Sequence, residues 1–427
     1  MVASVGTARR GVRHDIEYPS ADPHLNKYEH RGGQITIASM RHRIFAGSAI
    51  VVVLIAAFLV GVADATFGLP PYPMIVQFYR DVHPARDGSA ARYTIGDPAW
   101  LLTNPESLLH VGSAADAAVS RQFATEAVWG AETLPPLMPS LVEPGIDEPL
   151  ITGLVGVRSV DRLTLVMPFG VDSLMYLIHP RNPNGRVILV HSGHDADARH
   201  WSAAISFFVG RGYEVAAISM PLFGPNSRPT VAIPSVGTVR LESHDMFAFL
   251  AFAENPLRFF LDPVLAVVNY LDAQGFDRIA MMGLSGGGWT TTVYAAVDQR
   301  IASSYPVAGS LPHYLKTTPS DDGWVFVGAG DYEQTLPGLH PTLSYLDLYV
   351  LGSIGPGRRQ IQVLNKYDPC CYWGTGYRQY EAVVATRVST IAPGSSFRVF
   401  LDETIRTHDV SQTAFALIEA DLRDYAP

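Results

Sequence analysis

The residues of this chain with the clearest chemical meaning lie in one glycine-rich segment. Gly283-Leu284-Ser285-Gly286-Gly287 fits the pattern G-x-S-x-G. In that pattern the serine occupies a sharp turn between a strand and a helix, and its hydroxyl projects clear of the sheet as a nucleophile. The flanking glycines let two backbone segments pass closely. A glycine-rich loop whose serine only caps a helix would match the same pattern. The neighbouring elements must therefore decide whether Ser285 is a nucleophile or a helix cap.

The sequence around Ser285 contains the elements that such a turn needs. Ile279–Met282 is a short apolar run, typical of a buried parallel strand. Trp289–Val297 continues without glycine or proline, which favours a helix. Asp262-Pro263 is a strong helix-start signal and predicts a helix from Asp262 to Gln274. This context favours Ser285 as a nucleophile.

Predicted strands and helices alternate from about residue 151 to the end of the chain. Such alternation indicates an α/β domain, with a mostly parallel central sheet flanked by helices. The expected strands are Leu154–Val160, Leu163–Pro168, Ser173–Ile178, Arg186–His191, Tyr213–Ser219, Ile301–Val307, Gln360–Asn365 and Phe397–Leu401, and further helices are expected at Ala114–Val128, Arg199–Gly210 and Val410–Tyr425. Residues 222–260 and 309–356 are longer than simple crossovers, so we expect them to form a lid and the walls of a ligand crevice.

The strand order, the turn at Ser285 and the elements after that turn resemble the α/β-hydrolase superfamily over roughly residues 151–427. The resemblance is to its serine-esterase, lipase and peptidase branches. It implies a serine hydrolase that forms an acyl-enzyme, which water then cleaves. A carboxylic ester is the expected substrate, and a thioester or a peptide is the alternative on the same residues. An α/β-hydrolase-like module that binds a partner or a lipid without catalysis is the alternative from a different class.

The same resemblance implies the chain order nucleophile, acid, base. His408 follows the last predicted strand, in the loop where this superfamily places its base. Asp368 directly follows the strand Gln360–Asn365, which resembles the usual place of the acid. Its carboxylate would accept a hydrogen bond from His408 Nδ1. Asp331 is the next candidate for the acid, although Asp331 and Glu333 could instead contact the substrate.

An oxyanion hole requires two N–H groups that face the developing negative charge. The resemblance implies the amide of Gly286 as one donor and, by alignment on Gly193, the amide of His194 as the other. The match is imperfect, since Ser192 stands where the superfamily often has histidine. Four aromatic residues are candidates for pocket walls, although large aromatic side chains are also common in cores: Phe223, Trp289, Tyr372 and Trp373.

Composition limits the classes of partner. Of the 427 residues, 48% are apolar and 17% are charged, which allows a large buried core. The net charge is −9 and no block of lysine and arginine is present, so we exclude a nucleic acid as partner. A small ester or acyl substrate is the expected ligand.

The N-terminal region predicts a membrane anchor. Ile44–Val62 contains no charged residue and would be about 28 Å long as a helix, close to the thickness of the hydrocarbon core. Arg41 and Arg43 precede it, which predicts a cytoplasmic tail over residues 1–43 and a catalytic domain on the periplasmic or extracellular side. Cleavage of a signal peptide near Ala65 would instead give a secreted protein. We expect residues 66–150 to form an arm that packs on the main domain.

Cysteine usage and ligand spacing predict no cofactor. Cys370 and Cys371 are the only cysteines and are adjacent, so they could close a vicinal disulfide or remain reduced in a packed loop. The sequence contains no CxxC, no HExxH and no Cys/His spacing suited to zinc. We therefore expect no metal site on the basis of local motifs.

Overall fold

The computed structural model describes residues 103–194, 198–234, 236–320, 323–326, 331–369 and 371–424. The chain divides into two units, Met1–Pro84 and Ala85–Pro427, and every described residue belongs to the second. The predicted tail, the anchor Ile44–Val62 and Cys370 lie outside the described residues. None of the helices in the described ranges has the length and apolar character required to span a bilayer.

A nine-stranded sheet forms the centre of the domain, in the spatial order β1-β2-β3-β5-β4-β8-β9-β12-β13. The six strands from β5 to β13 in that order are parallel, whereas β1, β2 and β3 run antiparallel to their neighbours. The strands are β1 Leu141–Glu143, β2 Val157–Leu165, β3 Ser173–Pro180, β4 Val187–His191, β5 Glu214–Ile218, β8 Ile279–Leu284, β9 Ile301–Val307, β12 Arg359–Asn365 and β13 Ser396–Asp402. The mostly parallel sheet predicted from the sequence is confirmed.

Helices cover both faces of this sheet. They are α1 Ala114–Trp129, α2 Pro149–Thr152, α3 Ala198–Val209, α4 Arg258–Ala273, α5 Gly286–Val297, α6 Tyr345–Ser353, α7 Glu381–Ile391 and α8 Gln412–Asp424. Apolar residues of α3 and α8 share one buried cluster with one face of the sheet. Residues of α1, α4, α5, α6 and α7 share the cluster on the other face. Two hydrophobic layers therefore hold the central strands, and every residue of β4 and β8 is buried.

The two predicted insertions contain small elements of their own. Residues 222–260 include the hairpin of β6 (Thr230–Ile233) and β7 (Gly237–Arg240), and a short 3-10 helix, His244–Leu250. Residues 309–356 include the hairpin of β10 (Thr317–Ser320) and β11 (Gly323–Phe326), a 3-10 turn at Tyr332–Thr335, and α6.

Residues 103–150, the described part of the predicted arm 66–150, pack on the main body. Helix α1 matches the prediction closely; Ser113 caps its start and Gly130 ends it in the left-handed conformation. Arg121 on α1 donates hydrogen bonds to the carbonyls of Ala296, Leu351 and Ile354, near the C-terminal ends of α5 and α6. Because a guanidinium satisfies carbonyls that have no partner within their own helix, this residue ties α1 to both helices.

The two predicted strands Leu154–Val160 and Leu163–Pro168 are wrong, because this region forms the single strand β2. The charged pair Asp161-Arg162 lies between the two predicted strands. In the sheet Asp161 Oδ2 lies 3.0 Å from His179 Nε2, and Arg162 Nε donates to Glu143 Oε2 at 2.7 Å. Cross-strand partners therefore accommodate both charges within one strand.

The predicted start of the helix at Asp262 is also wrong. Helix α4 begins at Arg258 and contains Pro263. The Asp262 carboxylate does not cap the helix; it accepts a hydrogen bond from Trp129 Nε1 at 2.6 Å and pairs with Arg258. Tertiary contacts with α1 therefore replace the local role that the sequence suggested, and the helix continues through a proline at the cost of one backbone hydrogen bond.

Candidate active site

Ser285 occupies a strained turn between β8 and α5. Its backbone has φ 57° and ψ −123°, a region that residues other than glycine rarely adopt. A Cβ atom added at Gly283 would lie 2.2 Å from the Gly287 oxygen, and one added at Gly287 would lie 2.2 Å from the His191 oxygen. Both positions therefore exclude any side chain. The turn is held by Ser285 N, which donates to the Val307 oxygen at 2.9 Å.

Asp368 and His408 form a hydrogen-bonded pair after β12 and β13. His408 Nδ1 lies 2.7 Å from Asp368 Oδ2. The Asp368 side chain is fully buried, and its Oδ1 accepts a hydrogen bond from the Cys371 amide at 3.0 Å. Asn365, the last residue of β12, donates to the Asp409 oxygen at 2.8 Å and so ties the histidine loop to the sheet. The carboxylate can thus hold the imidazole in one orientation.

The second ring nitrogen of the histidine, His408 Nε2, is buried and has no hydrogen-bond partner among the residues that the structure describes. The structure therefore joins Asp368 to His408 but forms no hydrogen bond between His408 and Ser285. All three residues follow parallel strands of one sheet, β8, β12 and β13, so they lie at the same edge. Catalytic hydrogen bonds often tighten only when substrate binds.

The loop after β4 passes directly against Ser285. A Cβ atom added at Gly193 would lie 2.7 Å from Ser285 Cβ. The ring of His194 and the side chain of Met220 cover Gly286, since a Cβ atom there would lie 2.7 Å from His194 Cε1 and 2.7 Å from Met220 Cε. Gly193 therefore lies against Ser285, and the His194 ring lies against Gly286, the residue after Ser285; their amides stay predicted oxyanion donors. Gly286 also begins α5, where the helix dipole favours a negative charge.

The four aromatic candidates for the pocket have different surroundings. The Phe223 ring lies 5.4 Å from the His194 ring, beside the oxyanion loop. Trp289 is wrong as a pocket wall: it is fully buried, and its Nε1 donates to the Tyr345 hydroxyl at 3.1 Å. The Tyr372 hydroxyl donates to Gln334 Oε1, and Trp373 is partly exposed. Trp289 is a core residue because every residue of α5, the helix after the turn, is buried.

The two insertions meet at His194 in a cluster that the sequence did not reveal. His194 Nε2 lies 3.0 Å from His244 Nδ1 and 3.2 Å from Glu333 Oε1. Glu333 Oε2 lies 3.2 Å from His244 Nδ1, and Asp331 Oδ2 lies 3.5 Å from His194 Nε2. Asp331 and Glu333, candidates for the acid or for substrate contacts, therefore face His194 and not His408. The only sequence signal for His244 was its place in the aromatic-rich insertion.

Burial and ion pairing set the charges around this cluster. Burial raises the pKa of Glu333, but its contacts with His194 and His244 outweigh this effect and hold the pKa at about 2. Burial lowers the pKa of His194, but the hydrogen bond with Glu333 and the charges of Glu333 and Asp331 raise it above its usual value. Nearby, burial lowers the pKa of Lys316 to about 7. Glu333 is therefore ionised at neutral pH.

Cys371 is disulfide-bonded in the structure. The other cysteine of the chain is its neighbour Cys370, which lies outside the described residues. The Cys371 amide is the group that donates to Asp368, so this segment contacts Asp368 directly.

Comparison with solved structures identifies the fold. The methylesterase BT1017 is 13% identical to this chain, with a TM-score of 0.51; the match covers 75% of this chain and 66% of that chain. An acetyl xylan esterase from Paenibacillus sp. R4 is 15% identical, with a TM-score of 0.47, covering 75% of this chain and 98% of that one. No protein-family model matches the sequence, and no curated protein matches it either. The chain has the α/β-hydrolase fold.

Proposed function

We propose that this protein is a serine hydrolase that cleaves carboxylic esters. The observation that carries the proposal is the buried Asp368 carboxylate bonded to His408 Nδ1, with His408 Nε2 left without a partner. A nitrogen in that state can accept a proton from a serine, and Ser285 follows a parallel strand of the same sheet.

In the acylation step, Ser285 Oγ attacks the carbonyl carbon of the ester while its proton passes to His408 Nε2. Asp368 stabilises the imidazolium through Nδ1. The amides of Gly286 and His194 donate to the oxyanion of the tetrahedral intermediate. The intermediate collapses when the bond to the alcohol oxygen breaks, and His408 returns the proton to the leaving alcohol.

In the deacylation step, water attacks the acyl-enzyme and gives one proton to His408 Nε2. The second tetrahedral intermediate then releases the carboxylic acid, and Ser285 Oγ recovers its proton. The same groups serve both steps, so one substitution at Ser285, Asp368 or His408 impairs both.

The surroundings of Glu333 favour an ester over a peptide substrate. Asp331 and Glu333 could in principle hold the free amino group of a peptide. However, Glu333 is fully buried and its carboxylate contacts His194 and His244. The methylesterase that shares the fold is named for ester cleavage, the reaction proposed here.

A fluorophosphonate probe tests the proposal, because it reacts with an activated serine. We expect labelling of the wild-type chain and none of Ser285→Ala. p-Nitrophenyl esters of graded acyl length, compared with the matching anilides, then define the substrate. Absence of labelling, or labelling that survives Ser285→Ala, would refute the serine hydrolase; faster cleavage of anilides would refute the ester preference.

We also propose that Ile44–Val62 anchors the hydrolase to a membrane, with the catalytic domain on the periplasmic or extracellular side. The charge-free run and the preceding Arg41 and Arg43 support this orientation. Protease treatment of intact cells should degrade an external domain, and N-terminal sequencing should recover residues before Ala65. A mature chain that begins at or near Ala65 would support secretion instead.

A further inference from the structure

Three potential metal ligands converge beside the nucleophile. One donor atom from each of His194, His244 and Glu333 lies within 4.8 Å of the others. The His194 Nε2–His244 Nδ1 distance is 3.0 Å; His194 Nε2 lies 3.2 Å from Glu333 Oε1, and His244 Nδ1 lies 3.2 Å from Glu333 Oε2. In a tetrahedral zinc site with bonds of about 2.0–2.1 Å, neighbouring ligand atoms are roughly 3.3–3.4 Å apart. Each nitrogen therefore lies at about this spacing from the other nitrogen and from one oxygen of the carboxylate.

In the cluster of His194, His244 and Glu333, the nitrogen and oxygen atoms present more lone pairs than there are hydrogens to bond them. His244 Nε2 lies 2.8 Å from the Pro221 oxygen, which can only accept, so Nε2 carries a hydrogen. In the neutral ring Nδ1 then presents a lone pair to the cluster, and an N–H to carbonyl contact of this kind orients many metal-binding histidines. Glu333 is fully buried, and its two carboxylate oxygens face His194 Nε2 and His244 Nδ1 at 3.2 Å each. A cation would satisfy these lone pairs.

We propose that His194 Nε2, His244 Nδ1 and the Glu333 carboxylate bind one zinc ion, with a fourth position open to water or to a substrate oxygen. Two imidazoles and one carboxylate are a ligand set of zinc sites that keep an open position. Magnesium and calcium prefer sites made only of oxygen, so they fit poorly. Asp331 Oδ2, 3.5 Å from His194 Nε2, adds negative charge at the edge of the site.

The ion would position the oxyanion loop. The His194 ring packs against Gly286, and the adjoining Gly193 packs against Ser285. Zinc would tie this loop to both insertions, through His244 from residues 222–260 and Glu333 from residues 309–356. This role rests on the proposed ester hydrolase, whereas the binding of the ion does not.

Zinc binding is tested on the full chain, free of tags and solubilised in detergent. The protein is treated with a chelator, dialysed, and titrated with zinc and with cobalt in separate experiments. We expect about one ion per chain, a higher melting temperature with zinc, and the visible absorption of tetrahedral cobalt.

Two ligand variants and one control locate the site. Glu333→Gln keeps the shape of the side chain and removes its charge, and His244→Phe keeps an aromatic ring beside Phe247. Each should bind zinc at least about tenfold more weakly than the wild type. His179→Asn is the matched control, because His179 also contacts two carboxylates, those of Glu214 and Asp161, but through opposite ring nitrogens. It should retain wild-type zinc affinity.

The outcomes of these experiments distinguish the proposed zinc site from the proposed serine hydrolase. A wild-type chain that takes up neither zinc nor cobalt overturns the site, as does Glu333→Gln binding zinc with unchanged affinity. Fluorophosphonate labelling of Ser285 is measured in the same samples. Zinc binding without labelling would support the metal site and refute the serine hydrolase. Labelling without zinc binding would support the serine hydrolase and refute the metal site. The titration of the wild type decides the question even if both variants fail to fold.

Discussion

Replacement of Asp368 by asparagine should nearly abolish turnover while leaving the fold intact. Asparagine has the same shape as aspartate, but one of its two terminal atoms is a donor. The Cys371 amide donates to Asp368 Oδ1 at 3.0 Å, so the amide oxygen of asparagine must face Cys371. Its NH2 group then faces His408 Nδ1.

This orientation forces the wrong tautomer on His408. Because the NH2 group donates, His408 Nδ1 must accept, and the ring proton moves to Nε2. That nitrogen can then no longer take a proton from Ser285. Loss of the correct tautomer in a serine–histidine–aspartate triad lowers kcat by about 10⁴-fold, which is about 5 kcal/mol of transition-state stabilisation.

The assay is hydrolysis of p-nitrophenyl acetate, with kcat and KM measured separately for the wild type and for Asp368→Asn. The loss should fall on kcat, since Asp368 is buried beneath the histidine and does not contact the substrate. Glu403→Gln is the control; this exposed residue pairs with Lys366 at the end of β13 and should leave kcat unchanged. A loss of less than tenfold in Asp368→Asn, with folding verified by its melting curve, would show that another group orients His408.

Three further substitutions test other parts of the structure. Gly193→Ala should lower kcat on the order of 100-fold, because its Cβ atom would lie 2.7 Å from Ser285 Cβ and displace the nucleophile or the oxyanion loop; wild-type kinetics would contradict the close approach. Burial lowers the pKa of His191 to about 4 in the folded chain. Between roughly pH 6.5 and 4 the unfolded chain therefore protonates this imidazole while the folded chain does not. The wild type should lose up to ~3 kcal/mol of unfolding free energy as the pH falls through that window. Denaturant unfolding of His191→Asn should show a flatter pH dependence there, and an unchanged slope would indicate that His191 is not the group responsible. The hydrogen bond with Glu214 raises the pKa of His179, so its contribution is fully present below about pH 6.5 and disappears as the pH rises through the raised pKa; His179→Asn should therefore lower the melting temperature more at pH 6 than at pH 9, and an equal loss at both would mean that the contact is not ionic.

The sequence predicted the central strands well because burial on both faces of a parallel sheet leaves an apolar run. Strand β9 has the predicted bounds, and β4, β8, β12 and β13 differ from them by one or two residues at an end. The order of Ser285, Asp368 and His408 along the chain could be read in the same way, since each follows one of these strands.

The wrong or missing sequence predictions concern contacts between residues that are far apart in the chain. Asp161 lies between two predicted strands, and Asp262-Pro263 predicted a helix start, but contacts made in the folded domain support the single strand and the longer helix that contain them. His244 lies 50 residues from His194 and 89 residues from Glu333, so no local motif could relate them. Only the folding of both insertions over the sheet brings these three side chains together.

The turn at Ser285 also links activity to the folding of the whole domain. Helix α5 opens with Gly286, Gly287 and Gly288, and each glycine disfavours a helix by about 1 kcal/mol relative to alanine. The backbone of Ser285 adds strain on the order of 1–3 kcal/mol. This segment therefore has no tendency to adopt its native conformation alone; it is imposed by the flanking backbone of β4 and β9, against which Gly287 and Gly288 pack. A partly folded chain therefore contains Ser285 without the turn that the proposed mechanism requires, so the proposed activity should appear only once the central sheet has assembled.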